Sequence, residues 1–412
     1  MIPRNLNRNL AEAMADTPVV VVHGARQTGK STLVLGSEAA ARSGTYLTLD
    51  DATLLAAALD DPMGFISKLD GTAILDEVQQ APDLFRAIKY KVDKDRRPGQ
   101  FLLTGSADIL LLPSLSESLA GRMEILTLWP FSWSEIAEVE TSFVDQVFAS
   151  PPLKRASTAV SRMDILQRAI IGGFPAAIDR TSTRRRSAWF SSYIASILQR
   201  DVRDISNVEH LAAMPRLLEM LATRSMALLN YAELSRALRL PQSTLKRYMA
   251  LLEMTFLIRE VPAWSSNLGK RLVKSPKIML CDTGLMAYLL DAGSPDEIPD
   301  QVVGALLENY VAMEITKHLG WSNTRARLYH FRESAGREVD LLLESASGNV
   351  VGIEVKSAAQ VSSQDFKHLR FLQEELGNKF HRGVVLYTGT EAVSFGDRLQ
   401  AVPIGVFSGK TA

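Results

Sequence analysis

The chain has 412 residues with 46 Lys and Arg against 46 Asp and Glu, and this zero net charge excludes a uniformly basic DNA-coating protein and an acidic solvating chain. Hydrophobic residues make up 46% and charged residues 22%, the balance of a globular protein with buried cores, and the length suits two to four domains at roughly 100–200 residues each. One cysteine, Cys281, excludes an internal disulfide framework and a multi-cysteine zinc site; with no apolar run near the ~18 residues of a membrane span and a polar start at Met1-Ile2-Pro3-Arg4-Asn5, the chain is expected in the cytoplasm.

Residues 1–140 read as an α/β domain. Apolar, β-branched runs recur at Pro18–Val22, Thr45–Leu49, Thr72–Leu75, Phe101–Thr104 and Glu124–Leu128, with helical or loop-like sequence between them. Strands separated by crossovers predict a parallel sheet with helices on both faces. Directly after the first run stands Gly24-Ala25-Arg26-Gln27-Thr28-Gly29-Lys30-Ser31, followed by Thr32, which fits the GxxxxGK[ST] phosphate loop in its strand-to-helix context. Such a loop holds phosphates on backbone N–H groups, with Lys30 reaching the β- and γ-phosphates of ATP and the Ser31 hydroxyl on Mg²⁺. Downstream, Thr72-Ala73-Ile74-Leu75 ends in Asp76 and Glu77, which suit a Mg²⁺ ligand and a residue that orients or deprotonates the attacking water.

Phe101–Thr104 is a further strand ending in hydroxyls, Thr104 and Ser106. At this point the sequence resembles AAA+ ATPases, and the resemblance implies that Thr104, or else Ser106, senses the γ-phosphate. It also implies that Arg122, just before the last strand, is an arginine finger serving a neighbouring subunit in a homo-oligomer; a local salt bridge is the alternative.

Residues 141–204 read as a Ser/Pro/Thr-rich linker up to about Arg162 and then a helical region entered through Gly172-Gly173-Phe174-Pro175. In 205–290, Tyr231–Leu238 and Ser243–Met254 predict a helix-turn-helix with Ser243 as N-cap, and Phe256–Val261 a wing-like strand. Gln242, Ser243, Thr244, Lys246 and Arg247 stand where a recognition helix contacts DNA. Lys270, Arg271, Lys274 and Lys277, and separately Arg180 with Arg184-Arg185-Arg186, form basic clusters suited to phosphates.

Residues 291–412 predict a second α/β domain: an amphipathic helix at Val302–His318, strands at Arg327–Phe331, Val339–Glu344 and Val350–Val355, a helix at Ser363–Leu376 and a strand at Gly383–Tyr387. The stretch Ser345–Asn349 has turn composition, and a hairpin centred on Ser347 sets Asp340 opposite Glu354. Lys356 shares a face with Glu354. This order resembles the PD-(D/E)XK nuclease superfamily, with Val339 where many members have Pro. The resemblance implies Mg²⁺ or Mn²⁺ held by Asp340, Glu354 and the helical Glu308, with Lys356 as a catalytic partner.

Across nearly its whole length the chain resembles a bacterial and archaeal family of largely uncharacterised AAA+-type ATPases with a winged-helix middle and a nuclease-like end. Gly172–Pro175, Arg200-Asp201, Lys277 with Asp282-Thr283-Gly284-Leu285, and Asp340/Glu354/Lys356 carry that likeness. It implies either an ATP-driven, Mg²⁺-dependent enzyme acting on DNA, or a nucleotide-controlled switch whose nuclease-like domain is inactive.

Overall fold

The computed structural model describes residues 2–37, 45–106, 119–150, 158–202, 212–271, 274–333 and 336–409. They form two compact units: Arg4–Pro130 with Leu252–Phe256, and Phe131–Leu251 with Leu257–Ala412 and Met1–Pro3.

The first unit is built on β1 (Val19–His23), β2 (Thr45–Thr48), β3 (Ala73–Asp76), β4 (Phe101–Gly105) and β5 (Met123–Thr127), paired in the order β2-β3-β4-β1-β5. Every pairing is parallel. Because side chains alternate along a strand, each strand supplies two cores. Val19, Val21, Leu75 and Leu103 face one way, against Ala58 of α3 (Ala52–Asp60), Ile66 of α4 (Pro62–Ser67) and Phe85 and Ile88 of α5 (Leu84–Lys94). Val20, Val22, Ile74 and Leu102 face the other, against Leu33 and Val34 of α2 (Lys30–Leu35) and Leu10 and Ala13 of α1 (Asn7–Asp16). Sequence reading missed α1, although Leu6, Leu10 and Ala13 follow helical spacing.

In the second unit, helices α6 (Phe143–Phe148), α7 (Arg162–Ile171), α8 (Thr183–Ser196), α9 (Ala213–Thr223), α10 (Tyr231–Leu238) and α11 (Gln242–Met254) precede a two-stranded antiparallel sheet, β6 (Ile258–Val261) with β7 (Lys277–Leu280). After α12 (Thr283–Leu289) and α13 (Asp300–Leu319) comes a six-stranded mixed sheet. Its strands are β8 (Ala326–Arg332), β9 (Glu338–Ser345), β10 (Val350–Lys356), β11 (Phe380–Tyr387), β12 (Val393–Gly396) and β13 (Leu399–Pro403), in the order β12-β13-β11-β10-β9-β8. Helix α14 (Lys367–Leu376) covers one face through Leu369 and Leu372.

Several expectations change here. The linker at 141–162 holds α6, capped by Ser142 and buried at Phe143, Val144 and Val147; 151–157 lie outside the described residues. Helix α11 starts at Gln242, so Ser243 is inside its first turn and is not the N-cap. The wing-like strand begins at Ile258, after Phe256 with φ 57°. Helix α13 is not amphipathic: Leu306, Asn309, Val311, Glu314, Ile315 and His318 are all buried, so it runs through the core. Strands β12 and β13 were not anticipated. Phe131–Leu251 and Leu257–Ala412 pack as one unit, and backbone hydrogen bonds join the 205–290 and 291–412 segments: Trp264 N–H donates to His330 at 2.7 Å and His330 N–H to Pro262 at 3.0 Å.

A buried polar seam on α13 explains how such a helix is tolerated. Asn309 accepts from Leu280 N–H and the Ser225 hydroxyl and donates back to the Leu280 carbonyl, tying α13 to β7. His318 Nδ1 accepts the Phe143 N–H at 3.0 Å, which leaves the ring proton on Nε2, 3.3 Å from the Ser134 hydroxyl. Burial, with the Lys317 charge beside it, lowers the His318 imidazole to about 3. The fold therefore holds this ring neutral. The stability it contributes is complete above the ordinary histidine value near 6.5 and is lost as pH falls from there toward 3. His318→Asn keeps an acceptor for Phe143 but cannot titrate, so its unfolding free energy should fall less steeply than wild type between pH 6.5 and 4.5 in denaturant titrations.

Candidate functional site

The phosphate loop is shaped by residues that accept unusual backbone angles. Gly24 has φ 151° and faces the Leu128 carbonyl so closely that a Cβ would stand 2.2 Å from its oxygen. Gln27 (φ 61°) and Gly29 (φ 94°) lie in the left-handed region, and α2 begins at Lys30. Alternating hands in successive residues turn backbone N–H groups to one side, the arrangement that receives an anion. A Cβ on Gly29 would meet nothing within 4 Å, so that side of the loop is open. The Thr28 hydroxyl braces the loop on the Ala25 carbonyl at 2.9 Å. Lys30 is buried, its ammonium donating to the carbonyls of Gly24 (3.0 Å) and Ala25 (2.9 Å). Arg26 is half-buried, while Gln27 and Thr32 are exposed.

Strand β4 lies between β1 and β3, so its polar end falls between the loop and Asp76. Asp76 is buried and accepts three hydroxyls: Ser31 at 2.9 Å, Tyr46 at 2.7 Å and Thr104. Glu77 follows in the left-handed region (φ 58°), a conformation that costs a non-glycine residue on the order of 1 kcal/mol or more. Its N–H donates to Thr104 Oγ1 at 3.2 Å. Gln79 Nε2 donates to Glu77 Oε2 at 2.5 Å and to the Ser106 hydroxyl at 3.1 Å. Thr104 thus spends its hydroxyl on Asp76, whereas Ser106 stands beside the Glu77 partner. Sequence reading missed Tyr46 and Gln79; neither belongs to a contiguous motif. Burial, then the Asp76 contact, pushes the Tyr46 phenol above its ordinary value, so it stays a donor.

Serine and aspartate oxygens 2.9 Å apart beside an open loop are the hard donors Mg²⁺ prefers, so Ser31 and Asp76 fit that ion. Arg122 forks onto Asp93 of α5 (2.5 and 3.0 Å), the local salt bridge rather than a released finger.

The C-terminal acids come together in the hairpin. Ile353 pairs with Leu341 in the β9–β10 hairpin, and continuing that register sets Glu354 opposite Asp340. Asp340 Oδ2 accepts the Val355 N–H at 2.8 Å, and Lys356 donates to Glu354 Oε2 at 3.0 Å. Glu354 is pushed up to about 8 by burial and by the Asp340 charge, against the pull of Lys356. Glu308, however, is engaged by Lys277 at 2.7 Å, and the same ammonium reaches Glu338 at 2.8 Å. Burial opposes the charge on Lys277, but Glu308, Asp340 and Glu338 outweigh it and hold the ammonium above its ordinary value. Among the described residues no group of three or more His, Cys, Asp or Glu is arranged to hold a metal ion. Lys277 thus occupies Glu308, one of the three residues expected to hold Mg²⁺ or Mn²⁺ together with Asp340 and Glu354.

The basic clusters also change. Lys277 is buried in those ion pairs, and Arg271 is fixed bidentately on Glu344 (2.6 and 2.8 Å). Arg186 is buried, leaving Arg184 and Arg185 exposed beside it. The side chains of Arg200, Asp201 and Lys270 lie outside the described residues. On α11, Gln242, Ser243, Lys246 and Arg247 are exposed, with Thr244 half-buried. Among the described residues no helix is long and apolar enough to cross a membrane.

Comparison with known proteins agrees with the loop geometry. Residues 16–137 match the family described as "AAA domain", and they form a P-loop ATPase domain of the AAA kind. Residues 162–296 and 303–407 match two domains of unknown function, DUF8612 and DUF4143. The uncharacterized proteins Rv2008c of Mycobacterium tuberculosis and Mb2031c of Mycobacterium bovis are each 32% identical over 408 residues, covering 97% of this chain and 83% of theirs. The Walker-type ATPase PABY2304 of Pyrococcus abyssi has a TM-score of 0.43 at 15% identity, covering 70% of this chain and 96% of its own.

Proposed function

The chain belongs to the same family as the mycobacterial proteins Rv2008c and Mb2031c, and on that premise we propose that it is an ATP-hydrolysing switch that controls contact with DNA. One observation carries the reading: Asp76, braced by three hydroxyls, and Glu77, set in a strained conformation, stand together beside the phosphate loop. Lys30 exchanges its loop carbonyls for the β- and γ-phosphate oxygens of ATP, a trade of neutral for charge-assisted hydrogen bonds. Ser31 and Asp76 would hold Mg²⁺. When bound, that ion supplies charge neutralisation across the phosphates. Glu77 receives the proton of the attacking water, Gln79 and Ser106 hold Glu77 in place, and Tyr46 and Thr104 orient Asp76. A finger role for Arg122 in a homo-oligomer requires its release from Asp93.

The DNA half of the proposal rests on α11, with α10 before it and β6–β7 as a wing-like hairpin. Its first turns present Gln242, Ser243, Lys246 and Arg247 to solvent, polar and cationic groups of the kind that meet bases and phosphates. Duplex DNA binding followed by fluorescence anisotropy tests this. Lys246→Glu with Arg247→Glu should weaken binding at least about tenfold and lower the salt slope by about 2, one per lost phosphate contact. Binding that ignores both charge reversals would sink the DNA assignment.

A second reading, in which the C-terminal domain is a PD-(D/E)XK-like nuclease, draws on the Asp340–Glu354–Lys356 arrangement. Lys277 speaks against it. Cleavage of single-stranded, duplex or branched DNA with Mg²⁺ or Mn²⁺, abolished by Glu354→Ala, would establish that reading over the switch.

A further inference from the structure

The C-terminal carboxylates contain a feature that neither the phosphate loop nor the DNA reading uses. Lys277 is 2% exposed, yet its ammonium is 2.7 Å from Glu308 on α13 and 2.8 Å from Glu338 on β9. Glu338 and Asp340 are two residues apart on β9 and share a face. An unpaired buried ammonium is strongly unfavourable, so a lysine at this depth has to be met by acids, and here α13 and β9 deliver them.

We propose that the Lys277 ammonium is the resident cation of this cluster, standing in the place a divalent ion would take among Glu308, Glu338 and Asp340.

Charge accounting supports the assignment. Four acids, Glu308, Glu338, Asp340 and Glu354, are met by Lys277, by Arg332 on Glu338 (3.3 Å) and by Lys356 on Glu354 (3.0 Å). His368 approaches Glu354 at 3.9 Å and adds a further positive charge when protonated. A divalent ion entering this nearly neutral set gains little attraction while displacing hydrogen bonds already made, including Val355 N–H to Asp340. Position supports it too. Lys277 is the first residue of β7, and that strand is locked to α13 three residues later, where Asn309 clamps both the N–H and the carbonyl of Leu280. The ammonium is thus delivered by a fixed strand from outside the six-stranded sheet. Glu354 Oε1 is buried without a hydrogen-bond partner among the described residues, with His368 Nδ1 3.9 Å away.

The consequence is a nuclease-like acid constellation converted into an internal tie between β7 and the C-terminal sheet. It does not depend on whether ATP is hydrolysed at the phosphate loop.

Mn²⁺ binding to the full-length, nucleotide-free protein, read from the loss of the free-ion signal in electron paramagnetic resonance, tests the proposal. Wild type should bind no Asp340-dependent Mn²⁺. Lys277→Met should gain one bound Mn²⁺ per chain, and adding Asp340→Asn should remove it. Wild-type binding that Asp340→Asn abolishes would overturn the proposal, as would a folded Lys277→Met that binds none. If Lys277→Met fails to fold by circular dichroism, Lys277→Met/Glu308→Leu removes both halves of the closest pair and leaves Glu338, Asp340 and Glu354 for the same measurement. The wild-type titration needs no variant and decides against the proposal by itself if an Asp340-dependent ion is bound.

Discussion

Lys30→Ala is expected to abolish ATP turnover, and Glu77→Gln to lower kcat by about 10²–10⁴-fold while ATP remains bound. The two variants fail for different reasons. Lys30 is the buried cation of the loop, and its replacement removes the charge that meets the β- and γ-phosphates, so binding and turnover fall together. Glu77→Gln keeps the size and backbone of the residue, including the N–H held by Thr104, but removes the base that takes the water proton. A fluorescent ATP analogue should therefore titrate normally in Glu77→Gln and poorly in Lys30→Ala. Steady-state phosphate release completes the comparison. Wild-type turnover in both variants would remove the ATPase reading altogether.

What could be read in advance follows from how each feature is encoded. The phosphate loop is contiguous, so Gly24, Gly29, Lys30 and Ser31 announce themselves in eight residues. The Asp340–Glu354 register was also legible, because a hairpin with turn residues at Ser345–Asn349 leaves one pairing open. Tyr46 and Gln79 were not legible: Tyr46 reaches Asp76, and Gln79 reaches Ser106, only through parallel pairing of β2, β3 and β4, and a single tyrosine or glutamine carries no pattern. Charge was the most misleading signal. Lys277, Arg271 and Arg186 count toward basic clusters in the sequence, yet each is buried or fixed in the structure, because composition records charge and not the acids folding brings to it. Helix α13 shows the same limit for apolar pattern. Its alternation of Leu, Val and Ile with Asn, Glu and His reads as one solvated face, but the polar residues are spent on interior hydrogen bonds. The balance of 46 against 46 is thus partly an internal matter, with charges of both signs neutralised inside the molecule.

Asp282→Ala should cost about 2–5 kcal/mol of stability, more than a surface acid is ever worth, because it strips two buried N–H groups of their acceptor. Asp282 is 2% exposed, caps α12 through Leu285 N–H at 3.0 Å, and accepts Gly173 N–H at 2.7 Å. Two stretches far apart in sequence, Gly172–Pro175 and Asp282–Leu285, are thereby one joint. Both glycines are needed for it to close. Gly172 has φ 74°, and a Cβ there would stand 2.2 Å from the Asp282 carboxylate; a Cβ on Gly284 would stand 2.5 Å from the Ile171 carbonyl. Phe174 then packs in the core against the stacked Trp189 and Tyr193, with ring centres 5.4 and 4.9 Å away. Asp282→Asn should lose less than Asp282→Ala, since its amide oxygen still serves one donor while its NH₂ opposes the other. Gly172→Ala should approach the alanine variant of Asp282, combining the cost of a backbone conformation (φ 74°, ψ −167°) that essentially only glycine adopts, on the order of 1–3 kcal/mol, with a collision at the same carboxylate. Guanidinium unfolding followed by tryptophan fluorescence, with Trp189 beside the joint, gives the ranking. If Asp282→Ala unfolds within about 0.5 kcal/mol of wild type, as an ordinary surface substitution does, the joint does not hold these segments together.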